Sequence, residues 1–192
     1  MEENNIKSIN NYLRSCHRGI GFLVIFLIPI CSNAATPTAK VDKKTNGNLS
    51  VSIVTSTANG KYAPRNVTAI WIEDNSGAFI KTLLVNAQKR KKYLTNWLSN
   101  THEGNTVDAT TGATSTTFGT LTCTWNGTDT LGIPVSDGTY RICVELADAN
   151  YIENFAYFTF TKGISLDIQT PENKPSFSDI SIKWTPGKLS GK

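Results

Sequence analysis

The sequence predicts an all-β domain, an antiparallel sandwich of about eight strands with one short helix, and three observations carry that prediction. Short runs rich in Val, Ile, Thr and aromatic residues recur from Leu49 onward. Groups of turn residues separate them, among them Asp74-Asn75-Ser76-Gly77 and Asp137-Gly138-Thr139. In one place only, around Tyr93 to Leu98, the period lengthens from that of a strand to that of a helix. A period of two sends alternate side chains to opposite faces of a sheet, and apolar faces of that kind are buried by packing one sheet on another.

Residues 1–34 read as a secretory signal peptide. Lys7, Arg14 and Arg18 make a basic start, although Glu2 and Glu3 are atypical there. Ile20 to Ile30 is apolar but short for a membrane span. Ser32-Asn33-Ala34 supplies small residues for cleavage before Ala35, whereas Pro29-Ile30 disfavour lipid attachment at Cys31. The expected product is an exported protein of the periplasm or cell envelope, soluble after cleavage. Residues 35–48 are small and polar and are expected to form a flexible lead-in. Residues 49–192 form the sandwich domain, long enough to bury a core.

The full chain carries 19 basic and 15 acidic residues. Removal of the leader leaves about +3, too mild an excess to imply nucleic acid. Cys123 and Cys143 are the cysteines beyond the leader. Export invites a disulfide, but strand alternation groups Cys123 with Leu121 and Trp125, and Cys143 with Arg141 and Glu145. In a common sheet the two sulfurs would face opposite sides, so free thiols are expected.

The strands are expected at Leu49–Thr57, Val67–Glu73 and Ala78–Val85, the last two joined by the Asp74–Gly77 hairpin turn. Tyr93, Leu94, Trp97 and Leu98 at helical spacing predict a helix ending near Asn100. From residue 99 to 117 the chain is polar and aperiodic, and a loop of that length inside a compact domain is usually functional or disordered. Strands resume at Leu121–Trp125, Tyr140–Leu146, Phe155–Thr161, Ile164–Ile168 and Phe177–Trp184.

That long loop contains Val107-Asp108-Ala109-Thr110-Thr111-Gly112-Ala113-Thr114-Ser115. Its Asp-x-x-Thr-Gly-Ala-Thr spacing resembles the flavinylation signal of bacterial proteins that carry covalent FMN on a threonine. The resemblance implies that Thr114 accepts FMN from FAD through a phosphoester made by a separate flavin transferase of the cell envelope. Asp108, Thr111, Gly112 and Ala113 would be the recognition context. The chemistry suits those residue types, because phosphoryl transfer needs a positioned hydroxyl and neutralised charge. Gly112 and Ala113 let the backbone enter another active site, and short polar Asp108 and Thr111 can hold a turn. Read without the resemblance, the stretch is a Thr-rich surface loop.

More of the chain resembles a predicted periplasmic family, domain of unknown function 2271. The likeness rests on Ala63-Pro64-Arg65-Asn66-Val67-Thr68-Ala69-Ile70-Trp71-Ile72-Glu73-Asp74, on Lys92-Tyr93-Leu94 with Trp97, and on the 107–114 stretch. It continues through Trp125-Asn126-Gly127-Thr128-Asp129 and Asp137-Gly138-Thr139-Tyr140. Asn126 stands where members usually show Asp. Members tend to be encoded beside flavin transferases and membrane redox proteins, which implies extracytoplasmic electron transfer with a membrane or periplasmic redox partner. The Trp125 to Tyr140 segment also resembles the immunoglobulin-like module of flagellar hook-capping proteins. That likeness implies an immunoglobulin-like sandwich and supplies a competing function, a structural or adhesive module without cofactor.

Other candidates are weaker. His102 is the sole histidine beyond the leader, which leaves no histidine-rich metal site; a solvated loop residue is its default reading. Lys89-Arg90-Lys91-Lys92 could attract FAD or flavin phosphate, though such runs are more often simply solvated. Trp71, Trp97 and Trp125 could stack on a flavin ring, though aromatics at these spacings are usually core. Trp97, closest in sequence to the loop, is the one expected to do so.

Overall fold

Alternation sets the first strand, Gly47–Thr55 (β1), in which Leu49, Val51 and Ile53 are buried and Asn48 and Ser50 are exposed. A computed structural model describes residues 42–57, 66–101, 104–147 and 153–187, all within the unit Lys40–Lys192. The leader, the start of the lead-in, Ala63 to Arg65 and His102 lie outside the described residues. After β1 come Val67–Asp74 (β2), Phe79–Asn86 (β3), a 3-10 helix at Gln88–Tyr93, Thr95–Thr101 (α1) and Thr110–Gly112 (β4). Thr120–Trp125 (β5), Gly138–Ala147 (β6), Glu153–Lys162 (β7), Asp167–Gln169 (β8) and Phe177–Pro186 (β9) complete the order.

The strands make an all-β sandwich of two sheets, ordered β5-β1-β9-β8 and β4-β3-β2-β6-β7. Leu49, Val51 and Ile53 from one sheet meet Ile70, Ile72, Ile142 and Val144 from the other, with Trp125, Trp184 and Phe160 filling one core. A second apolar layer lies on the far face of the five-stranded sheet. There Trp71, Val85 and Cys143 pack beneath Leu94 and Trp97. The middle strand β2 is therefore buried on both faces, which is why its sequence is apolar almost throughout.

α1 is short and capped from outside. Glu145 on β6 is fully buried, and its carboxylate accepts hydrogen bonds from Asn96 N at 3.1 Å and Trp97 N at 2.8 Å. A carboxylate meeting the free N–H groups of a first helical turn satisfies donors that have no partner within the helix.

The Trp-Asn-Gly and Asp-Gly-Thr-Tyr segments are scaffold. The Tyr140 hydroxyl donates to Ser136 O four residues upstream, closing a corner at the start of β6. The Asp137 carboxylate accepts from Lys162 Nζ at 2.9 Å, Thr45 N at 2.7 Å and Thr45 Oγ1 at 2.6 Å. Gly127, at φ +79, has no room for a side chain, because a Cβ there would lie 2.9 Å from Lys162 Cε.

Four expectations are corrected. The lead-in is anchored by Lys43, whose carbonyl accepts from Asp137 N, and β1 starts at Gly47. The helical segment splits into a 3-10 turn and α1. The 99–117 segment is not wholly loop: it contains β4, paired parallel to β3, so the described sheets are not entirely antiparallel. The described residues hold nine strands, in line with the eight or so expected.

The cysteines were expected to face opposite sides of one sheet, yet they belong to different sheets. Cys123 faces the inter-sheet core and Cys143 the outer layer, and both are free thiols. Burial pushes the Cys123 thiol up to about 12. Burial first, and then the Glu73 carboxylate, raise Cys143 well above the ordinary thiol range. Both should resist alkylation in the folded protein at pH 8, where the reactive thiolate is scarce. Denatured, unreduced protein cleaved before Ala35 should yield two alkylated cysteines by mass spectrometry; a product with neither labelled would contradict this.

Candidate functional site

The candidate motif is bolted along the outer edge of β3. It begins with a turn in which Ala109 N donates to Thr106 O at 3.1 Å and Val107 N to Asn105 Oδ1 at 3.0 Å. Asp108 sits there at φ +55, a left-handed conformation that short polar side chains tolerate best after glycine. Its carboxylate accepts from Lys81 Nζ at 3.0 Å. The neighbouring Thr82 Oγ1 donates to Asn105 O at 2.6 Å and itself accepts from the indole N–H of Trp97 at 3.0 Å.

β4 follows, with Leu84 opposite Thr110, Val85 opposite Thr111 and Asn86 opposite Gly112. Gly112 gains a local reason to be glycine, since a Cβ would lie 2.5 Å from Asn86 Oδ1. Past β4, the Thr114 hydroxyl donates to Ala87 O at 3.4 Å, long for an O–H···O bond. Ser115 and Asn66 then exchange backbone bonds of 2.9 and 3.3 Å. Asn66 is buried, and its Nδ2 donates to Thr55 Oγ1 at 3.1 Å, tying the end of this ribbon to the opposite sheet.

Asp108, Thr111 and Ala113 are exposed, while Gly112 and Thr114 are half-buried. Ala87, the acceptor for Thr114, immediately precedes the 3-10 helix that carries Lys89, Arg90, Lys91 and Lys92. The fold thus brings the start of the basic run beside Thr114. Lys89 and Lys92 are exposed, whereas Lys91 lies over the Trp97 ring.

Trp97 does not serve as expected. It is fully buried in the outer layer with its N–H committed to Thr82, so it offers no ring face to a flavin. Trp71 and Trp125 are core as well, the former stacked on Phe155 at 5.7 Å between centroids. Among the described residues no cluster of His, Cys, Asp and Glu could hold a metal ion.

The model of the family described as a predicted periplasmic protein, domain of unknown function 2271, matches residues 48–170. The chain belongs to this family. No curated protein and no solved structure matches it. The family match spans β1 to just past β8, so it includes the ribbon, its β3 backing and the scaffold corner. Its description as periplasmic agrees with an exported chain, and no helix among the described residues is long and apolar enough to cross a membrane.

Sequence reading passed over Lys81 and Asn66. A charge within Phe79-Ile80-Lys81-Thr82-Leu83-Leu84 is a usable signal, because a lysine in an apolar strand needs a partner. Asn66 carried no such signal, since its role depends on β1 and the ribbon meeting around it.

Proposed function

We propose that this family member is an exported flavoprotein that carries FMN covalently on Thr114 and works in electron transfer outside the cytoplasm. One observation carries the reading: Thr114 ends an edge ribbon beside a basic turn, with its hydroxyl held by one long hydrogen bond. A small rotation about its side chain frees that oxygen. Thr114 Oγ1 would then be the nucleophile toward the FMN-side phosphorus of FAD: an Oγ1–phosphorus bond would replace the pyrophosphate bond, AMP would leave with the bridging oxygen, and the hydroxyl proton would pass to base or water. Gly112 and Ala113 have little side chain to obstruct an approach, and the basic run that follows Ala87 would supply positive charge toward the phosphate. These residues fit a tethered phosphate; the expected ring platform, Trp97, does not take part. Bound FMN supplies reversible electron uptake, while the tether keeps it from diffusing away outside the cell. The partners are a flavin transferase of the cell envelope and a membrane or periplasmic redox protein.

Co-expression with a cognate transferase in the periplasm should add one FMN per chain, retained on denaturation and fluorescent on a gel. Thr114→Ala abolishes the label, and Thr114→Ser retains some, because a hydroxyl without the β-branch is placed more loosely. Asp108→Ala and Gly112→Val reduce loading while the domain still folds. An unlabelled wild type, with a transferase active on another substrate, would favour the structural module; label persisting in Thr114→Ala would move the acceptor to another residue of the ribbon.

A further inference from the structure

Lys81 is an ionisable residue inside a strand whose neighbours are mostly apolar, and its side chain is only 7 % exposed. A buried ammonium must be met by acceptors. Here they are the Asp108 carboxylate at 3.0 Å and Asp129 O at 3.3 Å. The Asp108 side chain is 70 % exposed, so the aspartate gains little burial from this pairing. What it gains is position. Asp108 holds a left-handed backbone at φ +55 and opens the ribbon, whose next residues pair with the strand that carries Lys81.

We propose that Lys81 is a positioning residue for the acceptor site: its ammonium fixes Asp108 and so sets the order and register in which residues 108–114 are shown to the flavin transferase. This rests on the reading of Thr114 as the acceptor. A partner that binds only the seated ribbon has its apparent affinity reduced by whatever fraction of the time the ribbon is unseated. Lys81→Met keeps the aliphatic stem in place and leaves Asp108 solvated, not buried and unpaired, so the fold survives.

The test uses the full chain as transferase substrate and, separately, amide hydrogen exchange on the unmodified chain. Lys81→Met should raise the transferase KM for this chain by up to about fivefold with kcat unchanged, because one partly exposed ion pair shifts the seating equilibrium by no more than that and KM follows only the seated fraction. Lys81→Arg should recover most of the loss. In an Asp108→Asn background Lys81→Met should add nothing, because the two side chains act as one unit. Exchange at residues 108–115, which follows the opening equilibrium directly, should quicken about fivefold while β1 and β6 stay protected. The proposal is overturned if Lys81→Met leaves KM and exchange unchanged, if the two substitutions are additive, or if kcat alone falls. Exchange needs no transferase, so it judges the positioning role by itself. A wild type that takes no flavin overturns only the reading of Thr114.

Discussion

Asp137→Ala should lower the stability of the domain by about 3–5 kcal/mol in a denaturant titration, among the largest losses any single polar substitution here can cause. The reason lies with its partner. The Lys162 side chain is 0 % exposed and pairs with Asp137 at 2.9 Å, over the Trp184 ring. Without the carboxylate, the ammonium stays buried and uncompensated unless water reaches it, which bounds the loss. The same substitution frees Thr45, whose N–H and hydroxyl both donate to that carboxylate. Lys162→Met should cost less, because the Asp137 side chain is 17 % exposed and can turn to water. Burial alone would raise the Asp137 carboxyl, but hydrogen bonds from Thr45 and Lys162 outweigh it and hold the group below the ordinary range. A depressed carboxyl stabilises the fold above its unfolded pKa, and that contribution is lost as pH falls through the folded value. Wild type should therefore lose part of its advantage over Asp137→Ala in acid. A loss under 1 kcal/mol for Asp137→Ala, or a larger one for Lys162→Met, would contradict the pairing described.

Trp97→Ala should cost about 3–5 kcal/mol by the same measurement, the range for emptying a large aromatic site in a core. Trp97 is fully buried between α1 and the outer face of the five-stranded sheet. Its loss leaves a cavity beneath the helix and removes the indole N–H from Thr82, which in turn holds Asn105 at the start of the ribbon. The effect on flavin is the discriminating part. At a temperature where the variant is folded, Thr114 should still load, and the flavin absorbance maximum should match that of wild type. A shifted spectrum with unchanged stability would restore Trp97 as a ring platform.

Most of the fold was legible because it rests on local patterns. Leu49, Val51 and Ile53 announce β1 by alternation, and Asp74-Asn75-Ser76-Gly77 announces the β2–β3 turn by composition. β4 was not legible, because Thr110-Thr111-Gly112 has no apolar face; it is a strand only because β3 offers an unpaired edge. The role of Trp97 was misread for a related reason. Helical spacing shows that a face is apolar but not what covers it, and here the cover is the outside of a sheet. The cysteines are free but lie in different sheets, because alternation fixes a side chain's face and not its sheet. Around the ribbon, Thr114, its small neighbours and the basic run were visible as residues. Their adjacency was not, because it depends on parallel pairing across the helical segment.

The ribbon has a consequence for solubility that is separate from any cofactor. β3 is eight residues long, and without β4 it would end the five-stranded sheet as a bare row of backbone donors and acceptors. Such rows recruit strands from other molecules. A short, threonine-rich cover occupies the Leu84–Asn86 part of that edge while adding little stickiness of its own. The segment that presents Thr114 thereby narrows the edge left open to other chains, and a chain whose ribbon detaches is more exposed to polymerisation.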